Sequence, residues 1–238
     1  MGNTLRGKQD GGVLLVGASR GLGHAMAGEF ARREWLVTAT VRGGDRTGLH
    51  DLVDEHPGRI EIETLDVTVP AEIAMLGDRL SGRRFDMLFV NAGTADRNQA
   101  DTLAEVPDDE FVRVMLVNVL GVMRAVEGLQ HLVRPDGLIG VMSSGQGSVG
   151  NNTSGGREVY RASKAALNQC MRSHAARHAG ESRAMVLMAP GWIRTALGGP
   201  GAPLAIGDSI PKVVDVLVAQ QGKAGLRYLD RNGNVVAW

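Results

Sequence analysis

Apolar runs and amphipathic stretches alternate along the whole chain. Val13 to Val16 is apolar throughout and predicts a buried strand, and Leu22 to Arg33 then carries a helical period. Further strands are predicted at Leu36 to Val41, Ile60 to Leu65, Met87 to Val90, Leu138 to Met142 and Met185 to Met188. Between them lie helical patterns near 70–81, 108–133 and 158–179, with a weaker one near 47–55. Strands that show no polar alternation are covered on both faces, as in a parallel sheet. Right-handed crossovers through the helices make that sheet doubly wound. In the tail, Asn232-Gly233 separates Leu226 to Leu229 from Val235 to Trp238 and predicts a hairpin-type turn. With the tail counted, the expectation is an α/β fold with a mostly parallel seven-stranded sheet and helices on both faces, spanning residues 1–238 as a single domain.

Two glycine-rich segments follow predicted strands: Gly145 to Gly156 and Pro190 to Gly207. Ligands of open α/β sheets bind beyond the carboxyl ends of the strands, so both segments are expected to shape a pocket. Residues 190–208 are expected to act as a mobile lid.

Composition narrows the partners. Lys plus Arg and Asp plus Glu each number 26, so nothing favours general binding to nucleic acid or an anionic membrane. No apolar run approaches the ~18 residues of a membrane span, and the polar start has no signal-peptide core. Residues 1–12 read as a flexible N-terminus and the cytoplasm as the expected location. Met1-Gly2 lacks the Ser or Thr of a myristoylation signal, because Arg6 stands there. The single Cys170 lies in an apolar helical pattern and is expected in the core. His174 and His178, spaced i, i+4, read as a solvated face, and no metal site is expected.

Tyr160 and Lys164 stand four apart, on one face of a predicted helix. An ammonium beside a phenol eases transfer of the phenolic proton, so this pair suits acid/base work on a carbonyl or alcohol. Ser143-Ser144 closes a predicted strand and supplies a hydroxyl for the same oxygen. At the other end of the chain, Val13 to Val16 runs into Gly17-Ala18-Ser19-Arg20-Gly21-Leu22-Gly23 and then a helix. Glycines permit the tight turn, and the helix N-terminus favours a pyrophosphate. Gly145 to Gly150 also spells G-x-G-x-x-G, but polar residues follow it where a dinucleotide turn requires a helix. Arg42 at the end of the second strand, with Arg20, favours a 2′-phosphate over a free ribose hydroxyl, and therefore NADP(H) over NAD(H). Asp45 follows Gly43-Gly44, too late for the hydroxyl role.

With these residues in order, the chain resembles the short-chain dehydrogenase/reductase family and its Rossmann fold across nearly its full length. Gly17, Gly21 and Gly23 match the family's cofactor loop, Asp66-Val67 its adenine-side pair, and Asn91-Ala92-Gly93 its Asn-Ala-Gly turn. Asn118 matches the asparagine that supports a relay water. Ser144, Tyr160 and Lys164 match the catalytic serine, tyrosine and lysine. Pro190-Gly191-Trp192-Ile193-Arg194-Thr195 matches the segment at the nicotinamide. Tyr160 to Asn168, Gly198 to Pro203 and Trp238 resemble the sniffer-type carbonyl reductase and C-factor-like branch.

The resemblance implies reduction of a ketone or aldehyde small molecule, with Tyr160 as proton donor, Ser144 holding the oxygen, and Lys164 binding the ribose. The helices at 108–133 and 158–179 would pair subunits into a homodimer or homotetramer. A regulatory NADP(H)-binding protein and the oxidative direction stay open. So do structural roles for Asn118 as a helix brace, Ser144 as a loop hydroxyl and Asp66 as a cap. Three departures stand out. Val16 replaces a threonine that would brace the turn. Ser144 and Tyr160 are unusually far apart, with 151–156 as the apparent insertion. Ser143 competes with Ser144, which fits the family's S-x-x-G better.

Overall fold

The computed structural model describes residues 11–238, so the flexible segment expected over 1–12 lies, except for its last two residues, outside the described part. Strands β1 (Gly12–Val16), β2 (Leu36–Val41), β3 (Ile60–Thr64), β4 (Phe85–Val90), β5 (Val133–Met142), β6 (Ala184–Ala189) and β7 (Gly225–Asp230) form one sheet. All pair in parallel, in the order β3-β2-β1-β4-β5-β6-β7. Pleating divides each central strand between two cores. Val13 and Leu15 face one cluster, which includes Met26 and Phe30 of α1 (Gly21–Arg32) and Val213 and Leu217 of α7 (Ile206–Gln220). Leu14 and Val16 face the other, with Ile73 of α3 (Pro70–Arg79), Val126 of α5 (Val122–Leu129) and Leu167 of α6 (Glu158–Arg177). Both faces are therefore dry, which explains why these strands show no polar alternation.

The chain reverses direction across the sheet between β1 and β4, where Val16 pairs with Val90. Loops leaving these two strands diverge to opposite faces and open a crevice at the carboxyl edge.

Three elements differ from the sequence reading. The single helix expected over 108–133 is divided into α4 (Asp108–Met115), a wide π-helical turn (Leu116–Gly121) carrying Asn118, and α5. A short 3₁₀ turn follows, and β5 starts at Val133 instead of Leu138. Helix α7 had no counterpart in the pattern, because Pro211 lies inside it and removes one backbone donor. The expected turn in the tail is present: the Asp230 N–H donates to the Asn234 carbonyl and the return segment bridges Leu229 to Val235 antiparallel, while Gly225–Asp230 itself joins β6 in parallel. The weak pattern near 47–55 is α2 (Gly48–Glu55). Among the described residues no helix is long and apolar enough to cross a membrane.

Candidate active site

The glycine turn is held by contacts remote in sequence. Gly17 has φ +88°, and a Cβ there would lie 2.8 Å from the Ala92 Cα and backbone N. Its N–H donates to Thr40 Oγ1 at 3.0 Å, while its carbonyl accepts from Asn91 Nδ2 at 2.7 Å. Thr40 of β2 thus supplies the bracing hydroxyl that Val16 lacks. Gly23 is closer still: a Cβ would stand 2.1 Å from the Gly17 carbonyl oxygen. Helix α1 begins at Gly21 with no side-chain cap and no acidic residue in its first turn. Its free N–H groups suit a pyrophosphate, and the glycines leave room for one.

Farther along the same edge, Arg42 is exposed and its charge reaches Asp66. Burial pushes the Asp66 carboxyl up, but bonds from the Thr68 hydroxyl and N–H, together with Arg42, hold it below its ordinary value. One oxygen of Asp66 is therefore engaged in a local cap.

A cavity of about 780 Å³ opens beside this turn. Of the residues singled out in the sequence, Arg20, Gly21, Leu22, Asn91, Gly93, Ser144, Tyr160, Lys164, Pro190, Gly191, Ile193 and Thr195 line it. Gly17, Ser19, Gly23, Arg42, Asp66, Val67, Ala92 and Asn118 lie outside the lining.

Tyr160 and Lys164 project from α6 and are 8% and 3% exposed. Lys164 Nζ donates to the Met142 carbonyl at 2.9 Å and lies 5.8 Å from the Tyr160 ring centre. Burial lowers its pKa from 10.5 to about 8. Burial raises the Tyr160 phenol, while the nearby Ser144 hydroxyl and the charge of Arg157 pull the other way. The two serines differ: Ser143 Oγ is buried and donates to Asn168 Oδ1 at 2.6 Å, whereas the Ser144 hydroxyl accepts from the Gln146 N–H and is the one that acts on the Tyr160 phenol. The second glycine motif forms a short 3₁₀ turn, Gly145–Gly147, against Asn168 and not a helix start.

Asn118 stands behind the cavity, fully buried in the π-helical turn. Its Oδ1 accepts from Thr94 N–H at 2.8 Å, and its Nδ2 donates to the Thr94 carbonyl at 2.8 Å and to Ser163 Oγ at 2.9 Å. Both amide hydrogens are spent, so the side chain braces the Gly93–Thr94 backbone next to Lys164.

The wall beyond Thr94 rests on Arg113, which donates to Thr94 Oγ1, the Ala95 carbonyl and Glu110. Asp96, 4% exposed, belongs to this wall, and its Oδ1 has no hydrogen-bond partner. The segment 190–208 is cross-braced: Ile193 bridges to Leu204, Trp192 Nε1 donates to the Gly198 carbonyl at 2.8 Å, and Gly198 N–H donates to Thr195 Oγ1. The tail reaches the site as well, since the Tyr228 hydroxyl donates to the Ser144 carbonyl and the Trp238 ring packs on Tyr228. Sequence reasoning gave no role to Thr40, Arg113, Asp96, Arg157 or Tyr228. Apart from Glu110, three residues before Arg113, and Tyr160, three residues after Arg157, their partners are distant in sequence.

Two side-chain expectations are corrected. His174 is not solvated: it is fully buried, with its Nδ1 2.9 Å from Glu127 and its ring 4.4 Å from that of His178. Spacing of i, i+4 defines a face, but α5 covers this one. Ligand atoms of Glu127, His174 and His178 lie within 4.8 Å of one another, although Glu127 also pairs with Arg177. Cys170 is half-buried at the edge of the core, not inside it.

The family model described as short chain dehydrogenase matches residues 12–201. A solved short-chain dehydrogenase/reductase from Burkholderia multivorans with bound NADP is 59% identical, with a TM-score of 0.95 over 97% of this chain and 100% of that one. A carbonyl reductase from Pseudomonas aeruginosa in complex with NADP is 32% identical, with a TM-score of 0.89 over the same shares. C-signal of Myxococcus xanthus is 34% identical over 155 residues, covering 64% of this chain and 92% of its own.

Proposed function

The chain belongs to the short-chain dehydrogenase family, and from that premise we propose that it is an NADP(H)-dependent reductase converting a ketone or aldehyde to the alcohol. The observation that carries this reading is the meeting of Tyr160, Ser144 and Lys164 in one cavity beside the uncapped start of α1. NADPH, when bound along the carboxyl edge, supplies the hydride.

The chain's own residues do the rest. The α1 N-terminus and the Gly17–Gly23 turn bind the pyrophosphate, with Arg20 and Arg42 on the 2′-phosphate and Asp66-Val67 at the adenine. The relatives from B. multivorans and P. aeruginosa, both solved with NADP, support that choice of cofactor. Pro190, Gly191, Ile193 and Thr195 hold the nicotinamide end against Asn91 to Gly93. Tyr160 gives its proton to the carbonyl oxygen, and Ser144 donates a hydrogen bond to that oxygen as negative charge develops. Lys164, charged below about pH 8, stabilises the tyrosine as it loses the proton and holds the ribose. Asn118 is a positioning residue for Thr94 and Ser163.

The test is NADPH oxidation against aldehydes, ketones, diketones and quinones, with NADH alongside. Wild type is expected to oxidise NADPH with at least one class, and Tyr160→Phe to lose about 10²–10⁴ of the rate while still binding NADPH. Unchanged turnover in Tyr160→Phe refutes the assignment. Likeness to C-signal favours one second reading, an NADP(H)-binding signalling protein. Tight NADPH binding without turnover on any carbonyl would select it.

A further inference from the structure

The cavity beside Tyr160 holds a cation that the proton transfer does not require. Arg157 precedes α6 by one residue, and its guanidinium lies 5.9 Å from the Tyr160 ring centre on the cavity wall. One N–H donates to the Leu197 carbonyl of the lid, at a long 3.3 Å. A guanidinium carries five such donors, and among the described residues Arg157 has no carboxylate ion-pair partner. The charges of the wall beyond Thr94 are balanced. Arg113 pairs with Glu110 at 2.7 Å, Arg97 lies 3.7 Å from Glu110, and the buried Asp96 acts on Arg113. Arg20 and Lys164, the other cations lining the cavity without an ion pair among the described residues, are taken up by the cofactor and the acid in the reductase reading. Arg157 is left as an uncompensated positive charge between the acid and the lid.

Its backbone is a second, independent observation. Gly155, Gly156 and Arg157 are three consecutive left-handed residues, with φ of +63°, +67° and +52°. Glycine or asparagine fits that conformation with least strain, and the first two positions are glycine. Arginine occupies the third, where a side chain is strained. Such outliers persist where surrounding structure holds a group for binding. The segment 151–156 that lengthens the Ser144–Tyr160 interval ends by presenting this guanidinium to the cavity.

We infer that Arg157 anchors an anionic group of the substrate, so that the cavity takes a carbonyl compound bearing a carboxylate or a comparable anion. The guanidinium holds the anion by charge-assisted hydrogen bonds, and a ring or short chain between the two groups sets the carbonyl at Tyr160 and Ser144. Which group of the ligand reacts rests on the reductase reading; the anion contact does not.

Protein saturated with NADP+ is titrated calorimetrically, at low ionic strength, with 4-(hydroxymethyl)benzoate and its uncharged isostere 4-(hydroxymethyl)benzamide. The wild type is expected to bind the carboxylate about tenfold tighter, the return from one charge-assisted contact. In Arg157→Asn, chosen because asparagine tolerates the left-handed backbone, the ratio falls toward one. Arg157→Lys keeps the charge but not the fork and restores part of it. A residue that merely latched the lid would weaken both ligands together and leave the ratio intact. Equal affinities in wild type, a preference surviving in Arg157→Asn, or binding of neither ligand overturns the inference. The expected ratio with no NADPH oxidation by any of the aldehydes, ketones, diketones and quinones, 4-carboxybenzaldehyde included, overturns the reductase reading and leaves the anion anchor standing.

Discussion

Replacing Lys164 with methionine separates the cost of burying a charge from the use made of it. The ammonium is 3% exposed and has one hydrogen bond, to the Met142 carbonyl. Burial lowers its pKa from 10.5 to about 8. At 1.36 kcal/mol per pH unit, holding this lysine charged in the folded protein costs roughly 3 kcal/mol. Between pH 8 and 10.5 the unfolded chain binds the proton and the folded protein does not, so wild-type stability rises with pH in that window. Below pH 8 the cost is fully present.

Lys164→Met removes the charge at similar volume, and leaves the Met142 carbonyl without its donor at about 1–3 kcal/mol. At pH 7 the variant should therefore equal wild type or exceed it by up to roughly 2 kcal/mol. Its advantage should shrink by roughly 2 kcal/mol by pH 9.5. Urea unfolding of both cofactor-free proteins between pH 7 and 9.5, followed by tryptophan fluorescence, measures the difference directly. A difference constant across that range refutes the reasoning. The variant should also lose carbonyl reduction, and wild-type kcat/KM should decline as pH rises through about 8.

Glu110 offers the opposite sign. Bonds from Arg113 outweigh burial, and with the Arg97 N–H they hold its carboxyl at about 2. Its stabilisation is present above the unfolded value near 4.5 and lost as pH falls toward 2. Glu110→Gln should be less stable than wild type at pH 7 and nearly flat in that window; an identical acid-unfolding curve would contradict this. Gly23→Ala places a methyl 2.1 Å from the Gly17 carbonyl oxygen, so the turn must open. NADPH affinity by fluorescence titration should drop at least about tenfold, since the turn and helix start no longer present their N–H groups together. An unchanged affinity would show that the turn is not the pyrophosphate site.

Local pattern alone located the strands. The apolar runs of β1, β2, β4 and β6 match the observed strands within two residues at each end, because a strand dry on both faces must be apolar at every position. The glycine turn was equally legible, since close approach at Gly23 and positive φ at Gly17 exclude other residues whatever surrounds them. The four-residue step from Tyr160 to Lys164 was sufficient to place both on one helical face. What lay across the sheet was not legible. Thr40 takes over from the hydroxyl absent at Val16 from 23 residues away, and Tyr228 holds Ser144 from 84 residues away. Pro211 concealed α7, whose helix survives because packing on α1 outweighs one lost backbone bond. His174 shared a face with His178, and only the docking of α5 decided that this face was dry. Sequence thus determined what each backbone segment must be, because those constraints act within a few residues. Tertiary structure alone decided which charges are neutralised and which, like Arg157, are left facing the cavity, because charge pairing depends on neighbours that the chain brings together only on folding.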